Sequence, residues 1–156
     1  RTGDLSVLYR HIVWRKDYLE GTDRLGLLLG ALLPSQSEND SAVQAGLVFT
    51  HFKNRNEIDG DLVYRFGNGE RPDSARYDLS WQYRLGPARR PAWGLVPELY
   101  SVLELNGRWQ EDEDVVHQAT VGLQWIHPRL VLEGGIVRDI SNGDETLILL
   151  STRLHF

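Results

Sequence analysis

Charged side chains recur at every second position in several segments of this sequence, and they are the residues that could carry chemistry. Alternate positions of an extended chain share one face, so each group of charges is expected to point in one direction. Carboxylates are mixed with arginine here, and guanidinium groups can pair bidentately with carboxylates. The candidate site residues are Asp59, Asp61, Arg65, Asp78, Arg84, Glu98, Glu104, Arg108, Glu133 and Arg153.

Three kinds of chemistry fit such a set. The charges could form a constriction that selects solutes. They could instead form a paired network that fills a narrow barrel and fixes its register. A third interpretation is a paired-carboxylate acid/base site at Asp59 and Asp61, or at Glu98 and Glu104. No nucleophile motif accompanies these carboxylates, so we do not expect an enzyme.

The sequence predicts neither a metal site nor a cofactor. It contains no cysteine, and its five histidines lack ligand spacing such as an H-x-H pair. The acidic run from Glu111 to Asp114 could bind divalent cations, but such runs are more often solvated loops. Arg89 and Arg90 could meet anionic head groups or a partner, although a plain polar turn is the simpler interpretation.

The elements that position the charges are predicted to be strands. In the clearest segments, apolar and polar residues alternate over about ten positions, which is the period-two signature of a strand. A glycine pair, Gly134 and Gly135, indicates a bulge in the eighth segment. We expect nine strands and no helix, over residues 5–14, 24–33, 43–52, 57–66, 76–85, 98–109, 118–126, 130–140 and 147–156.

Alternation alone does not say which face is wet. A soluble barrel has its apolar face inside, whereas a membrane barrel inverts this arrangement. The apolar faces of the five clearest segments carry no charge. Ten residues tilted by about 40° also span about 25 Å, the height of an outer-membrane apolar band. These features favour a membrane barrel in contact with outer-membrane lipid.

Aromatic residues are expected to form two belts on the apolar faces, as membrane-interface aromatics do. If the chain ends on the periplasmic side, residues 54–56 and 127–129 become short periplasmic turns, while residues 67–74 and 110–114 become outer loops. The outer belt is then Tyr64, Phe66, Tyr77 and Trp109. The inner belt is Phe49, Tyr83, Trp125 and Phe156.

The C-terminal residues alternate in polarity and stop on Phe156. This pattern resembles the terminal signal that outer-membrane barrels present to the barrel assembly machinery, with Ser151 where that signal usually has glycine. The assembly machinery is therefore an expected partner.

Short motifs along most of the chain carry a wider resemblance. They are Thr2-Gly3-Asp4-Leu5, Gly30-Ala31-Leu32-Leu33-Pro34, Gly60-Asp61-Leu62-Val63-Tyr64, Glu98-Leu99 through Glu104-Leu105-Asn106-Gly107, and Val121-Gly122-Leu123-Gln124-Trp125. This series resembles the outer-membrane transporter family named for the meta-pathway of phenol degradation. The resemblance implies a barrel loosely associated with uptake of aromatic or other hydrophobic compounds.

Composition and the number of strands bear on this interpretation in different ways. The chain has 156 residues, a net charge of −5 and 41% hydrophobic residues, and its acidity argues against a nucleic-acid partner. It contains no methionine and starts at Arg1, which indicates a processed or truncated product. Bacterial barrels have an even number of strands, so nine suggest missing N-terminal strands or a miscounted weak segment.

The sequence therefore predicts an all-β, up-and-down antiparallel transmembrane β-barrel of the bacterial outer membrane. The expected function is a passive channel or transporter for small solutes. The alternative is a structural barrel with a side-chain-plugged lumen that holds a periplasmic or surface partner. A soluble barrel also remains open.

Overall fold

The protein forms a single antiparallel β-sheet in the computed structural model. The structure describes residues 5–34, 41–69, 71–141, 143 and 145–155. Its strands are β1 (Leu5–Tyr18), β2 (Gly21–Leu33), β3 (Ala42–Lys53), β4 (Asn56–Phe66), β5 (Ser74–Gly86), β6 (Glu98–Gln110), β7 (Val116–His127), β8 (Leu130–Asp139) and β9 (Thr146–Leu154). None of the residues in these ranges belongs to a helix of the length and apolarity that a bilayer crossing requires.

Each strand pairs with the next one along the chain, so the sheet order is the sequence order. The nine predicted strands and their up-and-down order are confirmed, and the observed strands extend one to four residues beyond most predicted ends. Alternating residues favour this arrangement because one face of each strand can match the same face of both neighbours. The sheet is not closed, since β1 and β9 are its two edges among the described strands.

The bulge predicted at Gly134 and Gly135 is wrong. β8 keeps an unbroken register with both neighbours through this pair, and Gly135 lies opposite Gly122. A Cβ on Gly135 would lie 2.9 Å from the Val121 carbonyl oxygen, so glycine here permits close approach of two backbones. The register shifts lie instead between Ile12 and Trp14 in β1 and between Arg84 and Gly86 in β5.

The two faces of the sheet differ sharply in chemistry. We call the face that carries Asp61, Asp78 and Asn106 the polar face, and the opposite one the apolar face. Buried side chains occur only on the polar face among the described residues: Leu32, Ala42, Gln44, Val48, Val63, Arg84, Tyr100, Thr120 and Val131. Most large exposed hydrophobic residues lie on the apolar face, for example Val121, which is 61% exposed.

The sheet curves around its polar face. Arg10 of β1 and Glu104 of β6 line one cavity of about 390 Å³ on this face. Five strand spacings of about 4.8 Å would separate these strands by about 24 Å in a flat sheet. Curvature therefore brings polar side chains of distant strands towards one another.

The connections divide by length between the two ends of the sheet. At one end, the turn end, β1–β2, β3–β4 and β7–β8 are joined by two residues each, and β5–β6 by the longer segment 87–97. The other end, the loop end, carries the longer connections between the remaining strand pairs, including residues 67–73 and 111–115. The residues predicted as short turns and as longer loops lie at these opposite ends.

Aromatic rings cover glycines on the apolar face. Gly107 lies directly opposite Tyr77, and Gly60 opposite Phe49. A Cβ on either glycine would overlap the facing ring. In these cross-strand pairs the aromatic ring lies over the glycine, in the space that a side chain would occupy. This packing helps to set the register.

We expect Gly107→Ala to destabilise the sheet by about 1–3 kcal/mol, because the added methyl group must displace the Tyr77 ring. Gly134→Ala is the matched control on the same face, since its Cβ would meet Leu150 at an ordinary 3.5 Å. The control should be neutral or slightly stabilising. Urea unfolding followed by tryptophan fluorescence measures both changes. Equal losses of unfolding free energy in the two variants would contradict a stabilising role for the packing of the Tyr77 ring on Gly107.

Candidate functional site

The structure brings all ten predicted site residues to the polar face. The register places Asp59, Asp61 and Arg65 of β4 in line with polar positions of β5, and the same face continues to β9. The full set is Asp59, Asp61, Arg65, Asp78, Arg84, Glu98, Glu104, Arg108, Glu133 and Arg153. Alternation in the sequence therefore identified the face correctly, although it did not show which charges pair.

The predicted aromatic residues within the described chain all lie on the apolar face. Tyr64, Phe66, Tyr77 and Trp109 cluster towards the loop end, where the Tyr64 ring lies 4.7 Å from Phe66 and 6.2 Å from Trp109. Tyr83 and Trp125 lie towards the turn end, whereas Phe49 lies nearer the strand middle, opposite Gly60. Phe156 lies outside the described residues.

Carboxylates form an acidic belt across the middle of the polar face, made of Asp59, Asp61, Asp78 and Glu104. Asp61 and Asp78 lie directly opposite each other on β4 and β5. Thr50 Oγ1 donates a 2.6 Å hydrogen bond to Asp59, and the Asn106 amide donates to Asp78. The described residues provide no ion pair to this belt, so its charges are balanced at longer range, with Arg10 and Arg76 acting electrostatically on Asp61.

The structure changes the predicted carboxylate pairs. Glu98 and Glu104 are six residues apart on β6, about 20 Å along an extended strand, so they do not form an acid/base pair. The cross-strand pair of Asp61 and Asp78 was missed, because alternation within one strand does not reveal which residue of the next strand lies opposite.

Glu98 is the centre of a second cluster, at the turn end. Arg90 binds both of its carboxylate oxygens, and the Tyr100 hydroxyl donates to Oε2. Arg84, whose side chain is only 7% exposed, lies 3.6 Å from Oε1. A bidentate arginine with a second cation behind it holds Glu98 in a fixed position.

This cluster fastens segment 87–97 to the polar face. Arg90 belongs to that segment, and its guanidinium also donates to the Tyr100 hydroxyl at 3.2 Å. Arg55, in the β3–β4 turn, donates to the carbonyl oxygens of Arg84 and Leu85 at 2.7 and 2.8 Å and stacks over the Tyr83 ring at 4.7 Å. The sequence signalled this only through Arg89-Arg90, for which a plain polar turn was the simpler interpretation; Arg90 instead joins an ion-pair cluster.

A third group, of arginines, lies on the polar face at the loop end. Arg76 and Arg108 are directly opposite on β5 and β6, and Arg65 lies diagonally across β4. They line a cavity of about 610 Å³ together with Glu113 and Asp114. Like charges placed directly opposite destabilise a strand pair, so this cluster is electrostatically strained without an anion or solvent nearby.

The rim of the loop end is fixed by Asp73. The Tyr64 hydroxyl donates to one oxygen at 2.6 Å and the Gly67 N–H to the other at 2.7 Å. These hydrogen bonds favour the carboxylate, with the Tyr64 bond the stronger cause, and hold the pKa of Asp73 below its usual range. Asp73 thus stays ionised and ties the ends of β4 and β5 together above acidic pH.

Glu133 and Arg153 form a looser contact on β8 and β9. Their closest side-chain atoms are 3.9 Å apart, and Arg153 is 65% exposed. The Gln124 amide donates to Glu133 at 2.6 Å. No group of three or more histidine, aspartate or glutamate side chains in the described ranges could hold a metal ion.

Several buried polar atoms on the polar face have no partner within the described part of the chain. They are Arg24 Nε, Asp61 Oδ1, Arg65 Nε, Ser80 Oγ and Arg84 Nε. A buried polar group without a hydrogen bond is costly, and such groups normally bind water or a ligand. These atoms can therefore bind water or other polar molecules that lie against the polar face.

We expect Glu98→Gln to destabilise the protein by about 3 kcal/mol, because it leaves the buried Arg84 charge without its carboxylate. Arg153→Gln is the matched control, since it removes an exposed cation from the longer contact to Glu133. The control should cost less than about 1 kcal/mol. Urea unfolding measures both; a Glu98→Gln loss no larger than the control would show that the cluster is not structural.

No family model, curated protein or solved structure matches this chain.

Proposed function

We propose that the sheet is the wall of an outer-membrane β-barrel that works as a passive channel or transporter for small solutes. The observation that carries this proposal is the inverted distribution of side chains. Among the described residues, the buried side chains lie on the polar face, where Gln44, Arg84 and Thr120 are buried beside six hydrophobic residues, while leucine, valine and tryptophan side chains are exposed on the other face. A soluble sheet protein would bury its apolar face.

The hydrogen bonding of the backbone also supports a membrane barrel. Inside a bilayer every N–H and C=O must be paired within the protein, so only helices and closed barrels cross it. Eight antiparallel ladders, two of them with one register shift each, pair the backbone from β1 to β9. We propose that the two remaining edges are paired in the membrane by closure into a barrel with an even number of strands.

The connection lengths and aromatic residues fit one orientation. Outer-membrane barrels have short periplasmic turns and longer extracellular loops. The turn end is therefore proposed to be periplasmic, and the loop end to face outward. The Tyr64, Phe66 and Trp109 cluster then marks the outer interface, and Tyr83 with Trp125 the inner one.

The polar face supports solute passage over a plugged lumen. Cavities of about 610, 390 and 960 Å³ lie along it from the loop end to the turn end. Its charges separate into bands rather than pairing completely, which leaves groups able to interact with a passing solute. A charged lining also favours polar or charged solutes over the hydrophobic compounds that the family resemblance implies.

A charge on the apolar face tests the membrane proposal. Leu123, 53% exposed in the middle part of β7, should face lipid. Leu123→Arg should lower the free energy of unfolding from liposomes by about 2–4 kcal/mol. On a water-facing surface the same substitution would change stability by no more than about 0.5 kcal/mol, and that result would contradict the proposal.

Gln124→Arg is the matched control, one residue along and on the polar face. Gln124 already bonds Glu133, so an arginine there meets a carboxylate and should cost less than about 1 kcal/mol. Equal losses at both positions would contradict a lipid contact that is confined to the apolar face.

Electrical conductance tests the passage itself. We expect the protein to open measurable conductances in planar bilayers of neutral lipid. No openings across a range of salt concentrations would overturn the channel proposal in favour of the scaffold alternative. A protein that stays monodisperse without detergent would overturn the membrane proposal as well.

A further inference from the structure

The turn end of the polar face holds a large cavity with an unusual lining, which we call the arginine basin. Its volume is about 960 Å³. Strands β1, β2 and β5, the β3–β4 turn and segment 87–97 all contribute to it. Its arginines are Arg15, Arg24, Arg55, Arg84, Arg89 and Arg90.

The basin carries an excess of positive charge. Among the described residues, two carboxylates, Asp17 and Glu20, line it together with the six arginines. Arg15 and Arg24 lie directly opposite each other on β1 and β2, an arrangement of like charges that destabilises a strand pair. Asp17 pairs with Arg15 and acts electrostatically on Arg24, which offsets part of this repulsion, and a bound anion would offset more of it.

Part of the basin is a rigid frame. Arg90 and Arg84 are held by Glu98, and Arg55 by two backbone carbonyls. Glu57 lies near enough to Arg90 to interact with it electrostatically, which offsets part of the positive potential there. Arg55 and Arg90 position the walls through Nε and Nη2 groups that are already hydrogen-bonded, whereas Arg84 donates one 3.4 Å bond to the Asn54 carbonyl oxygen.

The remaining donors are free to bind. Arg24 and Arg89 have no hydrogen bond or ion pair within the described part of the chain, and Arg15 uses only Nε, on Asp17 at 2.9 Å. The Nε atoms of Arg24 and Arg84 are buried and have no hydrogen-bond partner among the residues that the structure describes. Arg84 is also 95% buried, which makes its unpaired donor a costly group to leave empty.

We propose that the arginine basin binds oxyanions, namely the phosphate or carboxylate group of a small solute. Guanidinium groups match these groups because their planar donors can bind two oxygens at once. The inference deepens the proposed function, on which it rests for the solute's route, by naming anions as the solute class. Binding itself depends only on the basin.

Titration of the detergent-solubilised protein with inorganic phosphate, and separately with citrate, tests the proposal by calorimetry. We expect saturable binding that weakens with rising salt. The double substitution Arg24→Gln/Arg89→Gln, which we call the basin variant, removes two guanidinium groups without changing the Glu98 cluster. It should weaken binding by tenfold or more, since charge-assisted hydrogen bonds are the strong class.

Lys53→Gln/Arg129→Gln is the matched control. It removes two exposed positive charges at the same end of the sheet but outside the basin. The control should bind within about twofold of the parent protein, because charge at a distance is screened. Equal binding by the basin variant and the parent, or an equal loss in the control, would overturn the proposal.

Two further arms identify the source of the oxyanion. Phosphatidylglycerol nanodiscs without free phosphate form one arm, and neutral-lipid nanodiscs with free phosphate form the other. Neutral-lipid nanodiscs without free phosphate are the reference for both. Protection of Arg24 and Arg89 from phenylglyoxal only by the anionic lipid would assign the basin to a head group. Protection by free phosphate in neutral nanodiscs would assign it to a solute. Protection in neither would overturn the oxyanion site.

Ion selectivity separates this inference from the channel proposal. In a conducting parent protein, the basin variant should still conduct but lose anion preference in its reversal potential under a salt gradient. If the parent protein binds phosphate but never conducts, the result would support the oxyanion site and overturn the channel proposal. A parent that conducts with unchanged selectivity after the double substitution would keep the channel and overturn the basin.

Discussion

The sheet depends on one constraint: its polar side chains must share a face that is screened from the surroundings. Arg84, Gln44 and Thr120 are among its most buried residues, whereas Val121 and Leu123 are among the exposed ones. Buried polar groups require partners, so the polar face must supply hydrogen bonds or solvent for all of them. Curvature of the sheet meets this need by turning distant strands towards the same space.

Charge is then distributed along the strands rather than neutralised across them. Arginines occupy the loop end and the turn end, and the acidic belt of Asp59, Asp61, Asp78 and Glu104 lies between them. Opposite bands attract at longer range, which offsets the repulsion between like neighbours within each band. In this arrangement the charged groups of each band keep donors or acceptors that can bind a solute. Complete bidentate pairing of arginines with carboxylates would have used these atoms.

Much of this fold could be predicted because period two fixes the face of a residue from its position alone. Asp59 and Glu104 were placed on the correct face without knowledge of their neighbours. The Asp61–Asp78 pair and the register shift beside Arg84 could not be predicted in that way. They depend on which residues of two strands lie opposite, and that is set by turns and packing rather than by composition.

The arginine basin shows the same limit more clearly. Arg15 and Arg24 sit in strands whose alternation is weak, because leucine occupies both faces around them and glycine interrupts the polar positions of β2. Arg90 comes from a connection that looked like a plain turn until its bond to Glu98 placed it on the polar face.

The β1–β2 hairpin, the β3–β4 turn, and β5 with segment 87–97 are distant in sequence. They meet at the basin because the sheet curves and segment 87–97 folds inward. Removing the Arg90–Glu98 bond would release that segment and open one wall of the basin. The bond that stabilises the turn end therefore also gives the basin its shape, so stability and anion binding at this end of the sheet are physically coupled.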